Sequence, residues 1–389
     1  MECCFFKSCI LNDTEFLNKY KKKFTNLDGK LTKKIFVINK KDELITSLNI
    51  SSDLKKNYIF CDEHLNQLKE LLKIKNEIFS NPDKIPKDIL ISLNNILKNN
   101  IDIKQLLYKM EFNKGANIIK ILLNNINMTK DKDIKLYLYL ILRQFLEEKI
   151  DILLDKENLK DKFDELKHRD KEIFEILYKE IFMIKLKVYD LNKNQINAQI
   201  NDENFFRDVI LYNLCLSNIE HLINNWNKNY DIFNPKQIIE NAIDILAQIL
   251  SGDDEVPYEI SNELFFHIIG FLNTYLISDL KEPDLINYIL KFVLEKNQLI
   301  YVYLKKYKEE NKFKSTIRNY ITALNTVLEI LLGIDLGQFD KKQLDIFVIN
   351  SAEFNKDKKY ELFFYRNNDM ITELKDKIRL TLNNNLNSI

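Results

Sequence analysis

From residue 62 onward, apolar side chains recur at the spacing of an amphipathic helix. In the segment 62–79, Leu65, Leu68, Leu72 and Phe79 fall near a period of 3.6 residues, with charged and amide side chains between them. This pattern predicts a helix with one buried face. The same pattern returns in segments 86–99, 101–110, 116–126, 131–148, 149–159, 171–191, 204–226, 234–252, 261–277, 283–307 and 313–333.

Helix start and stop residues lie near the ends of several of these segments. Pro235 and Pro283 fall in the first turn of their segments, where the missing N–H of proline costs nothing. Asn234 and Ser261 are predicted N-caps, because their side chains can accept a hydrogen bond from the first helical turn. Gly333 follows an apolar run and is predicted to end its helix.

The scarcity of turn-forming residues narrows the fold class. The 389 residues include only six glycines and five prolines, whereas all-β and Rossmann-type folds need such residues at turns and phosphate loops. The helix spacing fits two or three helices per unit of roughly 40 residues. We predict an all-α fold, an armadillo/HEAT-like right-handed α-solenoid, with helical repeats over 61–335, an irregular or helical N-terminal cap over 1–60 and a C-terminal cap over 336–389.

One stretch resembles the armadillo family more closely. Residues 90–126, "LISLNNILKNNIDIKQLLYKMEFNKGANIIKILLNNI", are similar to a long helix, an amide-rich loop, a short helix, a glycine and an apolar second helix. Gly115 falls where the family places the glycine at its sharp turn between helices. Residues 130–163 resemble the next unit without that glycine. The resemblance implies a stack of helical units that binds protein partners.

The resemblance also implies a binding surface. Peptide-binding armadillo proteins hold an extended peptide with a row of asparagines, and Asn95 and Gln144 occupy that position in the two units. Ile91 and Leu140 stand where the family has tryptophans, which argues against capture of a basic import signal. The predicted partner-binding residues on the concave face are Asn94, Asn95, Lys98, Arg143, Gln144 and Glu147.

The C-terminal region allows two interpretations. Residues 345–350, "DIFVIN", and 360–366, "YELFFYR", can form a hairpin before a final helix. Such a hairpin-containing cap loosely resembles the winged-helix ends of proteasome-lid and initiation-factor scaffolds, and it would favour a subunit of a large complex. The alternative is two further amphipathic helices that cap the solenoid.

Charge gives little support to nucleic-acid binding. Lysine plus arginine and aspartate plus glutamate both total 58, so the formal net charge is zero. The segment 305–318, "KKYKEENKFKSTIR", mixes lysines with aromatic residues, as nucleic-acid-binding surfaces do. Two glutamates interrupt it, so a solvated loop is the preferred interpretation, and a nucleic-acid-binding helical repeat remains an alternative function.

Candidate catalytic groups lack partners in the sequence. The four histidines are isolated, and no paired metal-ligand motif or phosphate-binding glycine loop occurs. We expect His267 to be a buried structural residue, Cys215 to be a small core residue, and Gly333 and Gly337 to belong to a helix end and loop. We therefore expect no enzymatic activity, no cofactor, no metal and no small-molecule substrate.

The N-terminus and the hydropathy bear on location. Cys3 and Cys4, beside two phenylalanines, are candidate S-acylation sites, although the myristoylation motif is missing because residue 2 is Glu2. No stretch reaches the roughly 18 apolar residues of a transmembrane helix. The odd count of five cysteines favours a reducing compartment. We predict a cytoplasmic protein, with nuclear location or attachment to a membrane surface as alternatives.

Overall fold

The structure of the chain is all-helical wherever it is described. The computed structural model describes residues 62–98, 103–104, 107–108, 116–147, 159–184, 186, 203–225, 234–251, 258–278, 282–307, 314–355 and 367–386. Within these residues there are twelve α-helices and one 3-10 turn, and no strand. The predicted all-α, solenoid-type fold class is thereby confirmed.

The helices are numbered in chain order. They are α1 (Asp62–Ser80), α2 (Lys87–Leu97), α3 (Ile118–Met128), α4 (Lys132–Leu146), α5 (Leu159–Met183), α6 (Glu203–Asn225), α7 (Lys236–Ser251), α8 (Tyr258–Ile277), α9 (Pro283–Tyr307), α10 (Lys314–Gly333), α11 (Lys341–Asn355) and α12 (Asn367–Leu386). The 3-10 turn, Leu336–Gln338, lies between α10 and α11. The chain divides into two compact units, Met1–Leu153 and Leu154–Ile389.

The first unit is built around the pairing of α2 with α4. α1 packs on α2, α3 packs on α4, and α2 packs directly on α4. Each helix buries a stripe of leucine and isoleucine, for example Leu90, Leu93 and Leu97 on α2, all of which are fully buried. Burial of such side chains stabilises the unit by about 2 kcal/mol each.

A single buried amide joins α3 to the connection between α1 and α2. Asn125 is 3% exposed, and its Oδ1 accepts a hydrogen bond from the backbone N–H of Ile85 at 3.0 Å. Its Nδ2 donates to the carbonyl oxygens of Pro82 at 2.7 Å and Ile121 at 2.9 Å. Pro82 and Ile85 belong to a connection that has no regular hydrogen-bonding ladder of its own. Asn125 therefore satisfies backbone groups that burial would otherwise leave unpaired.

The second unit consists of two rows of helices. One row stacks α6, α8, α10 and α12, with α5 on the outer side of α6. The other row stacks α7, α9 and α11, and α11 also contacts α12. Helices that neighbour each other in sequence thus alternate between rows, and each packs on the helix two places away. This is the arrangement expected of a helical repeat.

Polar side chains cross the seams between stacked helices. Asn319 on α10 donates to the carbonyl oxygen of Phe266 on α8 at 2.9 Å. Asn350 on α11 donates to Asn297 Oδ1 on α9 at 2.6 Å and to Gln298 Oε1 at 3.1 Å. Each bond joins helices of the same row, so these amides hold the register within both rows.

Lys377 connects the last helix to the end of α10. Its ammonium group donates to the carbonyl oxygens of Leu331 at 3.1 Å and Leu332 at 2.7 Å, and also to that of Ile334. The final carbonyl groups of a helix have no partners within it, and they form the negative end of the helix dipole. A lysine from α12 therefore caps α10.

Several predictions about helix ends can be compared with these bounds. Asn234 Oδ1 accepts from the N–H of Lys236 at 3.1 Å, and Pro283 is the first residue of α9, as predicted. Ser261 is not an N-cap, because α8 begins at Tyr258 and Ser261 is buried inside it. Gly333 is the last helical residue of α10.

The hairpin interpretation of the C-terminal region is wrong for its first strand. Residues 345–350 lie within α11. Leu344, Phe347, Val348 and Ser351 are all buried, and their spacing of three and four is that of one helix face. A strand would place Phe347 and Val348 on opposite sides. Residues 360–366, the proposed second strand, lie outside the described residues.

The second unit also contains a buried amide in an apolar environment. A small enclosed space between α8, α9 and α10 is lined by Asn273, Leu276, Phe292, Leu324 and Val327, among others. Asn273 is 8% exposed, and its Oδ1 has no hydrogen-bond partner among the described residues. An unpaired buried amide destabilises a fold by about 1–3 kcal/mol.

The two buried asparagines predict opposite effects of one substitution. Asn125→Leu leaves the backbone groups of Ile85 and Pro82 unpaired and should lower the free energy of unfolding by about 3 kcal/mol. Asn273→Leu removes an unpaired group and adds apolar volume, so it should raise the free energy by about 1 kcal/mol. Chemical denaturation of both variants and the wild type measures the two changes in the free energy of unfolding. Changes of the same sign in both variants would contradict this interpretation.

The cap on α10 predicts a further difference. Lys377→Met keeps the aliphatic stem of the side chain and removes the ammonium group, so it should destabilise the second unit by about 1–2 kcal/mol. Lys375→Met, at an exposed position of the same helix, serves as the matched control and should change stability by less than about 0.5 kcal/mol. Thermal melts of the two variants give the comparison, and equal melting temperatures would show that the cap contributes nothing.

Candidate functional site

The predicted binding residues lie on two helices that stand side by side. Lys87, the first residue of α2, forms a 2.9 Å ion pair with Asp133 in the first turn of α4. Its ammonium group also lies 6.0 Å from the ring centroid of Tyr137 on α4. Because α2 and α4 pack together and their N-terminal ends meet, the two helices run parallel.

The start of α4 is fixed by its own sequence. Asp131 is the N-cap, and its Oδ1 accepts hydrogen bonds from the N–H groups of Asp133 at 2.9 Å and Ile134 at 3.3 Å. Thr129 Oγ1 accepts from the N–H of Asp131 at 3.2 Å. These bonds place Asp133 in the first helical turn, where a carboxylate also complements the helix dipole.

The ion pair affects the protonation of Lys87. The hydrogen bond to Asp133 raises the pKa of the Lys87 ammonium group above its usual value, and the charge of the carboxylate adds to the effect. A lysine is protonated at neutral pH with or without such a shift, so the effect is a sign of the contact with Asp133 and not a change of charge state. The pairing therefore orients α2 on α4, but its exposure to water keeps its energy small.

The six predicted partner-binding residues occupy the later turns of these helices. Asn95, Lys98 and Glu147 are exposed, and Asn94, Arg143 and Gln144 are partly exposed. Arg143 Nε donates to Glu147 Oε1 at 2.8 Å, an ion pair one turn apart on α4. Asn94 lies two turns after Lys87, and Gln144 lies two turns after Tyr137. Both sets of residues therefore follow the paired starts of the two helices by about two to three turns.

The role expected of Asn94 needs modification. Its side-chain Oδ1 is inaccessible to solvent and has no hydrogen-bond partner in the described part of the chain. A partner therefore cannot contact this atom while it stays buried. Asn95, one residue later, is exposed and is the amide that a partner can contact.

Apolar side chains accompany these polar groups. Ile91 and Leu140, which stand at the family's tryptophan positions, are both partly exposed. Tyr137 is also partly exposed. Amide, charged and apolar groups are thus combined on one surface, which we call the α2–α4 surface. It consists of Lys87, Ile91, Asn95, Lys98, Asp133, Tyr137, Leu140, Arg143, Gln144 and Glu147. Such a mixture is common at protein-binding surfaces.

Sequence reasoning missed part of this surface. Lys87, Asp133 and Tyr137 were not among the predicted residues, and they connect the two helices. A signal was present, because Lys87 and Asp133 both fall in the first turn of helices that the resemblance places at equivalent positions. The Lys87–Asp133 ion pair could have been found by aligning the two equivalent helices and looking for opposite charges at matching positions.

The candidate chemical residues Cys215, His267 and His168 lie on three different helices. Cys215 is fully buried in α6, as predicted. His267 is less buried than expected: its side chain is 22% exposed, and Nε2 lies 3.8 Å from Glu263 Oε2. His168 is exposed. The described residues contain no cluster of three His, Cys, Asp or Glu side chains with the geometry of a metal site.

Other predicted features lie partly or wholly outside the described residues. Cys3, Cys4 and Gly115 are among them, so the acylation sites and the armadillo-type glycine stay predictions. The basic segment 305–318 is described only at its two ends. At its start, Lys305 Nζ lies 5.7 Å from the ring centroid of Tyr301. Arg318 is exposed on α10, whereas residues 308–313 are not described.

Comparisons with known proteins do not assign the chain to a family. No family model matches the chain, and neither a curated protein nor a solved structure does. Among the described helices, none has both the length and the apolar character required to cross a membrane.

Proposed function

We propose that this protein is a non-catalytic scaffold or adaptor that binds a partner protein through the α2–α4 surface. The observation that carries the proposal is the parallel pairing of α2 and α4, oriented by Lys87 and Asp133. This pairing puts exposed and partly exposed amide and charged side chains on the later turns of two neighbouring helices. A partner segment that crosses both helices meets Asn95 first and then Gln144.

The order of helices supports an armadillo-type unit as the basis of this surface. After α2 come helical residues at 103–104 and 107–108, then α3, then α4. This is the sequence of a short first helix followed by two longer ones, and α4 packs on α2 of the preceding unit. In such a stack, equivalent helices form a continuous row that a peptide can follow.

The proposal predicts the effect of two surface substitutions. Asn95→Lys combined with Gln144→Lys replaces both amides with charged side chains that extend into solvent, so it should weaken partner binding about tenfold or more. The full chain carries an affinity tag and is incubated with a lysate of its native cells. Mass spectrometry then compares the amount of each captured protein between the wild type and the double variant.

A matched control separates binding from general surface charge. Asn124 and Asn127 are exposed asparagines on α3 of the same unit, and Asn124→Lys combined with Asn127→Lys makes a similar chemical change away from the surface. The proposal requires a protein that the wild type and the control capture in similar amounts and the first variant loses. Capture that is equal for all three, or that depends only on nucleic acid, would refute it.

A further inference from the structure

A second surface in the chain has the form of a binding cleft. It lies between the C-terminal half of α5 and the start of α7, both in the second unit, and has a cavity volume of about 440 Å³. Phe174, Glu175, Tyr178 and Lys179 line it from α5, and Asn234, Lys236 and Gln237 line it from the other side. This volume is in the range of ligand pockets.

The α5 side of the cleft carries a row of aromatic rings. The ring centroids of Phe174 and Tyr178 are 6.3 Å apart, and those of Tyr178 and Phe182 are 4.8 Å apart. Tyr178 O–H donates to Gln237 Oε1 on α7, which fixes the position of the middle ring. Phe182, one turn beyond the cleft, is 39% exposed. Phe174 is buried and supports Tyr178 from behind, so the partly exposed ring of Tyr178 offers the apolar surface to one large side chain of a ligand.

The charges around the cleft favour an acidic ligand. Lys179 and Lys236 are exposed at its edge, and Glu175 is the one carboxylate among its lining residues. α7 begins at Lys236, so the positive end of its backbone dipole also lies at the cleft. Asn234 occupies one backbone N–H of this first turn, that of Lys236. The described lining of the cleft therefore carries two ammonium groups and one carboxylate.

We propose that the α5–α7 cleft binds a short acidic peptide segment of a partner protein, with one large apolar side chain placed against the ring of Tyr178. Carboxylates of the peptide pair with Lys179 and Lys236 on either side of that residue. The site goes beyond the proposed function and does not depend on it, because the α2–α4 surface belongs to the other unit. Loss of either site leaves the other unchanged.

A selection experiment tests the chemistry of the ligand directly. A displayed library of random peptides about twelve residues long is selected on the full-length protein. The dissociation constants of enriched peptides are then measured by fluorescence anisotropy. We expect enriched peptides to contain several Asp or Glu residues around one Phe, Tyr, Trp or Leu. Their affinity should fall as salt is added, because exposed charge pairs are screened.

Charge reversal locates the site. Lys179→Glu combined with Lys236→Glu should weaken the enriched peptides about tenfold or more. Lys171→Glu combined with Lys291→Glu makes the same change at exposed positions of α5 and α9 and should alter the affinity by less than about threefold. Enrichment of basic or neutral peptides, no enrichment, or equal losses in both variants would overturn the proposal.

Discussion

The structure depends on helices burying their apolar stripes against one another, most often against the helix two places away in the chain. In the second unit this produces the rows α6, α8, α10, α12 and α7, α9, α11. Because every helix needs the next one of its row, no helix has a complete core of its own. The polar sides of the helices remain at the surface, and the order of the rows decides which side chains become neighbours there.

Apolar stripes alone do not fix how far one helix slides along another. Leucine and isoleucine contacts are similar at several offsets, whereas a hydrogen bond exists at only one. Asn125, Asn319 and Asn350 each bond across a seam or a connection, and so each selects one alignment. Buried amides of this kind specify a structure because the other alignments leave them unpaired. The asparagine-rich composition, which looks like a genomic bias, here also has a structural use.

The helices could be predicted from the sequence because the apolar period of 3.6 residues and the boundary residues, proline and asparagine, indicate the same segments. Two errors show where local reasoning failed. Ser261 suits an N-cap, but the apolar residue Ile260 is buried and extends α8 backward to Tyr258. Residues 345–350 suit a strand by composition, but burial of Leu344, Phe347 and Val348 on one face selects a helix. In both cases tertiary burial overrode a local preference.

The surfaces were harder to predict than the helices because they are formed by residues that are far apart in the sequence. The register of the armadillo resemblance placed Asn95 and Gln144 on neighbouring helices, but nothing local shows that Lys87 meets Asp133, 46 residues later. Tyr178 and Gln237 are 59 residues apart, and only the tertiary fold brings them together. The two proposals together describe a chain with one binding surface on each unit, able to hold two partner segments. That capacity is what distinguishes an adaptor from a simple binding domain, because linked binding raises the effective concentration of one segment near the other.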